Sequence, residues 1–194
     1  MIQWRLDGTA VLQPVTLADA ASLYACVERN RDRLQLWMPW TDGTRSVADV
    51  RAFIEHSTSA PAERPSAMEC AILVDGVVQG MTGLNRISWP HRLANIGYWL
   101  DADHEGRGLV TRACTHLVNH AFSEWDLHRI EIRAASHNRP SRSVAQRLGA
   151  QHEGTLRGAE CILGEFHDMA VYSLLAPQWE RRDESSGHST EAAP

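Results

Sequence analysis

The sequence predicts an α+β (mixed α/β) fold, a twisted and mostly antiparallel sheet of about seven strands flanked by helices. Three observations support this class. Short apolar or alternating runs are joined by tight-turn dipeptides such as Asp7-Gly8 and Asp75-Gly76. Longer segments carry apolar residues at helical spacing. In the C-terminal half, two strand–helix units lie side by side, which predicts a parallel strand pair there.

Length and charge limit the classes of protein that fit. The chain has 194 residues, which suits one domain, and we assign that domain to residues 1–179. Residues 180–194 are polar and are expected to form a disordered tail. The net charge of −5 and the pI near 6.0 argue against nonspecific binding to nucleic acid.

Cysteine usage and hydropathy suggest a cytoplasmic protein. The four cysteines are scattered without a C-x-x-C pair, so a zinc knuckle or a dense disulfide framework is not expected. Residues 1–12 are too polar for a secretory signal. No apolar run approaches the roughly 20 residues of a membrane helix, so no membrane association is expected.

The N-terminal half is predicted to form a hairpin, two helices and a meander of three strands. The hairpin strands are residues 2–7 and 10–15. The helices are residues 18–36, capped by Thr16, and residues 46–58, capped by Ser46. The meander strands are residues 68–74, 77–87 and 93–100.

The C-terminal half is predicted to alternate helices and strands. A helix over residues 108–124 carries a continuous apolar stripe. A second helix over residues 138–148 has Pro140 in its first turn and ends at Gly149. The strands of this half are residues 129–135, 151–156 and 167–175.

One face of the first C-terminal helix carries His116, His120 and Glu124 at i, i+4 and i+8. This spacing could hold a metal ion. A solvated polar face is the preferred interpretation, because no converging ligand set for a zinc site can be identified. The sequence therefore predicts no metal.

A glycine-containing turn joins the strand over residues 93–100 to this helix. Gly106 and Gly108 lie at the turn, where the first backbone N–H groups of a helix lack intrahelical partners. With the helix dipole, such a turn is suited to an anion, usually a phosphate. The alternative is an ordinary tight turn in which glycine only permits positive φ.

Several motifs in order decide between these alternatives. They are Ile-Gly-Tyr-Trp-Leu-Asp at residues 96–101, His-Glu-Gly-Arg-Gly-Leu at 104–109, and Asn138-x-x-Ser141 followed by Arg-Leu-Gly-Ala at 147–150. In these motifs the chain resembles the GCN5-related N-acetyltransferase (GNAT) superfamily, and within it the ribosomal-protein N-terminal (serine/alanine) acetyltransferase branch. The resemblance covers residues 10–179.

The resemblance implies binding of acetyl-CoA. The backbone of the turn would cradle the pyrophosphate, and one edge of the preceding strand, which this family splays from its neighbour, would bond the pantetheine arm. Asn138 would bond the pantetheine amide or the thioester end. The implied turn residues are Glu105, Gly106, Arg107, Gly108, Leu109 and Val110, and the implied strand residues are Tyr98, Trp99 and Leu100.

The chain departs from the family pattern at three positions. Glu105 replaces a usual Gln or Arg, and we expect Arg107 and Arg112 to offset its charge near the pyrophosphate. Val110 replaces a usual Gly or Ala. Ala145 replaces a tyrosine that serves as the acid in many members. These differences bear on affinity more than on cofactor identity, because backbone N–H groups do not depend on side-chain type.

The branch resemblance also implies catalytic and substrate-binding residues. Glu160 is the candidate base, and the alternative is a solvated turn residue. Ser141 is the candidate acid toward the departing thiolate, and the alternative is helix capping. Asn85 and the tryptophan elbow formed by Trp37 and Trp40 are candidate acceptor-binding residues. The two tryptophans could equally fill the core or form a homodimer contact.

The predicted function is therefore acetyl transfer from acetyl-CoA to a primary amine in a ternary complex. The preferred acceptor is the N-terminal α-amine of a protein, by the branch resemblance. The alternatives are a small amine, such as a polyamine or an amino-sugar antibiotic, and a non-catalytic acyl-CoA-binding module. Covalent catalysis is not expected, because the cysteines lack an adjacent His–acid signature.

Overall fold

The computed structural model describes residues 2–61 and 63–179, and within them eight strands form one sheet. The expected tail over residues 180–194 lies outside the described residues. In chain order the strands are β1 (Trp4–Arg5), β2 (Ala10–Pro14), β3 (Met68–Val74), β4 (Val77–Ser88), β5 (Leu93–Leu100), β6 (Arg129–Ala135), β7 (Gln151–Ile162) and β8 (Glu165–Leu175). The predicted mixed fold is confirmed.

The helices of the described chain cover both faces of the sheet. Those that pack on the sheet or lead to the site are α1 (Ala20–Arg29), α2 (Arg31–Leu34), α3 (Val47–Ser57), α4 (Leu109–Ser123) and α5 (Arg139–Arg147), and residues 176–179 are also helical. Short 3₁₀ turns lie at Leu17–Asp19, Pro39–Gly43 and Ala102–His104. Among the described residues, no helix combines the length and apolar character needed to cross a membrane.

The sheet separates two apolar cores. One core packs α4 and α5 against the sheet, and Leu109, Leu117 and Tyr172 are almost completely buried in it. The other packs α1 and α3 against the opposite face and includes Trp99, which is 8% exposed. Alternation along β5 therefore sends neighbouring side chains into different cores.

The strand order is β1-β2-β3-β4-β5-β6-β8-β7, and every pair except β5–β6 is antiparallel. The β5–β6 ladder joins Leu93–Asn95 to Arg129–Glu131. Beyond it, no ladder within the described chain joins the rest of β5 to β6. The two strands thus separate toward their carboxyl ends, as the resemblance implies.

The first predicted helix, residues 18–36, is divided in the structure. Asn30 lies between α1 and α2 with φ −110° and ψ 6°, outside helical geometry. Its side-chain Nδ2 donates to the Cys26 carbonyl at 2.9 Å and to Asp101 Oδ2 at 2.7 Å. The break therefore depends on a contact with residue 101, which local periodicity cannot reveal.

The histidine face of α4 is also not the solvated face that the sequence predicts. The His116 ring stacks on Trp4 at 6.2 Å between centroids, and the His120 ring lies 5.0 Å from that of Trp125. Burial lowers the pKa of His120. No group of three His, Cys, Asp or Glu residues within the described ranges is placed to hold a metal ion.

Asp101 connects α1 to the end of β5. It is 3% exposed and accepts hydrogen bonds from Arg29 Nε at 2.6 Å, from Asn30 Nδ2, and from the Asp103 N–H at 3.0 Å. Burial would raise its pKa, but the bonds from Asn30, Asp103 and Arg29 outweigh burial and lower it to about 2. The carboxylate therefore fixes the segment that leads into the glycine turn.

We expect Asp101→Ala to lower the free energy of unfolding by about 2–4 kcal/mol at pH 7, because it leaves buried N–H donors without an acceptor. The lowered pKa favours the folded state above the ordinary value of 3.8, and this contribution disappears as the pH falls toward 2. In urea unfolding, the midpoints of variant and wild type should therefore differ at pH 7 and coincide near pH 2. Asp103→Ala, at an exposed side chain, is the control, and equal midpoints for both variants at pH 7 would contradict the assignment.

Candidate active site

A cavity of about 460 Å³ opens where β5 and β6 separate. Its walls include Ile96–Trp99 from β5 and Arg133–Ala135 from β6, all beyond the last paired residues of the two strands. The remaining walls come from α1, α3, the segment over residues 37–40, α5, and strands β3, β4, β7 and β8. The short parallel ladder therefore creates the opening.

The glycine turn follows directly at the end of β5. Gly106 has φ +74° and Gly108 has φ +73°, so both adopt left-handed geometry that other residues rarely accept. Gly108 is the N-cap of α4, and the first N–H groups of that helix have no intrahelical acceptor. The Leu109 side chain is buried in the core, which leaves only its backbone available to the turn.

Glu105 is paired with a residue that the sequence did not single out. Arg33, from α2, forms an ion pair with Glu105 and donates a hydrogen bond to the Leu100 carbonyl. The expectation that Arg107 and Arg112 offset Glu105 is wrong. Those two arginines contact Asp7 Oδ2, at 3.4 Å and 3.2 Å. The break between α1 and α2 is what carries Arg33 to the turn.

Asn138 and Ser141 lie at the start of α5. Asn138 is the N-cap, and its Oδ1 accepts from the Ser141 N–H at 3.2 Å. The Ser141 hydroxyl donates to the Tyr98 hydroxyl at 3.2 Å, and Tyr98 donates to the Ser141 carbonyl at 2.9 Å. The capping role therefore belongs to Asn138, and the Ser141 hydroxyl lies at the cavity wall.

Glu160 reaches the cavity from β7 because of an irregularity in that strand. The register between β7 and β8 shifts between Leu156 and Glu160, and Glu160 lies opposite His167. Gly158, with φ +56°, donates its N–H to Asp168 Oδ1 at 2.8 Å. Asp168 thus stabilises the irregularity in β7 that directs Glu160 toward the cavity.

The three predicted acceptor-binding residues also line this cavity. Trp37 lies 4.9 Å from the His137 ring, and Trp40 lies 6.1 Å from the Trp99 ring, measured between centroids. Trp40 is 42% exposed and lies in the 3₁₀ turn Pro39–Gly43. Asn85 faces the cavity from β4.

Known acetyltransferases resemble this chain over most of its length. Residues 10–151 match the acetyltransferase (GNAT) domain. The putative ribosomal N-acetyltransferase YdaF of Bacillus subtilis is 35% identical over 84% of this chain and 88% of its own length. The ribosomal-protein-serine acetyltransferase of Escherichia coli is 30% identical over 79% of this chain and 85% of its own length.

The chain belongs to the GNAT acetyltransferase family. A solved structure agrees with this assignment: RimL, a ribosomal L7/L12 α-N-protein acetyltransferase in complex with coenzyme A, has a TM-score of 0.85 and 25% identity over 90% of this chain and 98% of that one. The predicted family is confirmed, and the protein is an acetyl-CoA-dependent acetyltransferase.

The residues around the glycine turn fit the anionic end of acetyl-CoA. A Cβ at Gly108 would lie 3.0 Å from Arg112 Nη1, so a larger residue would crowd the turn. Arg33 Nε and Arg112 Nε are buried without a hydrogen-bond partner within the described chain. Unpaired N–H donors beside a helix N-terminus suit a pyrophosphate.

Sequence reasoning missed Arg33 and Glu69. Arg33 has no local signal, because its partners are at residues 100 and 105. Glu69 lines the cavity from β3, and it could have been found: it shares the alternation of Ala71 and Leu73, which are buried, so an acid there faces an apolar layer.

The Arg33–Glu105 pair should matter for CoA binding. We expect Arg33→Met to raise the dissociation constant of CoA by roughly threefold to tenfold, because it leaves Glu105 unpaired beside the pyrophosphate. Glu105→Gln in the same chain should restore most of the loss. Calorimetric titration of the two single variants and the double variant measures the coupling, and strictly additive effects would refute it.

Gly108→Ala should weaken CoA binding by about tenfold, since alanine is strained at φ +73° and its Cβ displaces Arg112. Gly108→Asp should weaken it further by adding like charge. Gly43→Ala serves as the control, because a Cβ there meets no atom within 4 Å. An unchanged dissociation constant in Gly108→Ala would remove the turn from the binding site.

Proposed function

We propose that this acetyltransferase acetylates the N-terminal α-amine of a protein. The observation that carries the proposal is that Ser141, Glu160 and the two elbow tryptophans face one cavity at the strand separation, next to the glycine turn. The relatives named as ribosomal-protein acetyltransferases support the same acceptor class.

In this proposal the backbone N–H groups of residues 105–110 hold the pyrophosphate, and the free edge of β5 at Tyr98 and Trp99 bonds the pantetheine arm. The Leu100 carbonyl already accepts a hydrogen bond from Arg33. The predicted contact between Leu100 and the pantetheine arm would therefore use other atoms of Leu100. Asn138 would donate from Nδ2, because its Oδ1 is used in the helix cap.

Acetyl-CoA supplies the activated acetyl group and a thiolate leaving group. Glu160 accepts one proton from the acceptor ammonium, so that the neutral nitrogen can bond to the acetyl carbon as the carbon–sulfur bond breaks. The second proton that the nitrogen loses goes to the departing thiolate, which leaves as the CoA thiol. Ser141 stabilises the departing sulfur with its hydroxyl proton. To do so, the hydroxyl must leave Tyr98, whose own pKa is raised by burial and which therefore remains a hydrogen-bond donor.

The chemistry of amines supports an α-amine as acceptor. A chain N-terminus has a pKa of about 7.7–8, whereas lysine is near 10.4, so deprotonating lysine at pH 7 costs roughly 3–4 kcal/mol more. A single carboxylate base is adequate to deprotonate an N-terminal α-amine and is less adequate for lysine.

A polyamine is the second candidate acceptor, and one observation favours it. Two carboxylates, Glu69 and Glu160, line the cavity, and its one guanidinium, Arg133, is paired with Glu131 at 2.6 Å. A cavity with unbalanced negative charge suits an acceptor with more than one positive charge.

Thiol release against N-terminal peptides, lysine peptides and spermidine tests the proposed function. We expect turnover with peptides that begin with serine or alanine. Glu160→Gln should reduce kcat by about 10²–10⁴-fold, because the base is lost. Ser141→Ala should reduce kcat with little change in CoA affinity. Turnover on spermidine alone would reject the protein acceptor, and unchanged turnover in Glu160→Gln would reject the base.

A further inference from the structure

A second carboxylate, Glu69, faces the same cavity as Glu160. It lines the cavity from β3, together with apolar side chains of α1 and α3 that include Leu23, Val27 and Val50. Among the described residues, the Glu69 carboxylate has no ion-pair or hydrogen-bond partner. A charged group in such surroundings is unfavourable unless a partner arrives with a ligand.

The sheet is built to give this carboxylate room. Glu69 is paired with Gly83 on β4, and Gly83 is paired with Gly97 on β5, so the three form one row across neighbouring strands. A Cβ at Gly83 would lie 2.0 Å from Glu69 Oε2. The Glu69 carboxylate therefore lies over the bare backbone of Gly83.

The residues around Glu69 indicate that its carboxylate suits a positively charged ligand. Trp40 and Trp99 lie on the cavity walls, and aromatic faces attract cations. The other ionisable groups lining the described cavity are Tyr98, Arg133 and Glu160. Of these only Arg133 is cationic, and it is paired with Glu131. The cavity thus lacks a cation at Glu69.

We infer that Glu69 binds the positively charged amine of the acceptor as an ion pair and positions it for Glu160, which takes the proton. The inference rests on the proposed function of this cavity and adds a specificity-determining residue to it. Glu69 acts on acceptor binding, and Glu160 acts on the proton transfer.

The protonation of Glu69 gives the binding a pH dependence. Burial raises the pKa of Glu69 to about 7. A cation binds the ionised carboxylate, so acceptor affinity should rise as the pH increases through 7 and fall as Glu69 becomes protonated below it. The α-ammonium remains mostly charged up to a pKa of about 7.7–8, so pH 5.5–7.5 isolates the carboxylate.

The test uses calorimetric binding of two probes to the full chain saturated with CoA, which cannot transfer an acetyl group. The probes are a peptide with a free N-terminal serine and spermidine. Glu69→Gln should weaken binding of the preferred probe by roughly tenfold and abolish its dependence on pH. In turnover, it should raise the KM of the amine and leave kcat and the acetyl-CoA KM nearly unchanged.

Two variants sharpen the test. Gly83→Ala should reproduce the weaker amine binding, because its Cβ displaces the flexible end of Glu69 while the fold is kept. Glu55→Gln removes an exposed carboxylate on α3 and should change nothing. Circular dichroism checks the fold of each variant, and Gly83→Ala decides the question if Glu69→Gln does not fold.

The outcomes separate this inference from the proposed function. Equal amine binding by Glu69→Gln and wild type, or wild-type binding without pH dependence, would overturn the role of Glu69 alone. A loss of kcat without a change in KM would also overturn it, because Glu69 would then act in proton transfer. If neither probe bound the wild-type complex, both proposals would fall together.

Discussion

The site depends on the short parallel ladder between β5 and β6. Pairing joins Leu93–Asn95 to Arg129–Glu131 and then ends, while both strands remain held by antiparallel neighbours, β4 and β8. The edge of β5 beyond Asn95 is thereby released inside the sheet, where backbone N–H and C=O groups need partners. A ligand with an amide-containing arm can supply them, so the fold itself prepares the binding groove.

Charge is arranged differently at the two ends of this groove. Beside the glycine turn, Glu105 is paired with Arg33, and Asp7 is paired with Arg107 and Arg112. Inside the cavity, Glu69 and Glu160 have no ion-pair partner within the described residues. Paired acids leave the turn compatible with an anion, and unpaired acids make the cavity attractive to a cation. The pyrophosphate of acetyl-CoA is negatively charged and a protonated amine is positively charged, so each substrate suits one end of the groove.

Small irregularities in the backbone determine the positions of several side chains of the site. The bulge in β7, fixed by the bond from Gly158 to Asp168, brings Glu160 opposite His167. The missing side chain at Gly83 leaves the space that the Glu69 carboxylate occupies. The break at Asn30 brings Arg33 to the end of β5, and Asp101 fixes that break. Each of these features gives a side-chain position that a regular strand or helix would not provide.

The sequence by itself determined the family, the element order and the glycine turn, because these depend on local periodicity, turn chemistry and ordered motifs. The strands Met68–Val74, Leu93–Leu100 and Arg129–Ala135 were predicted with the observed bounds. Only the tertiary structure decided the partner of Glu105, the division of the first helix at Asn30, and the ring contacts of His116 and His120. These features depend on contacts between residues far apart in the chain, and such contacts leave no periodic trace in the sequence.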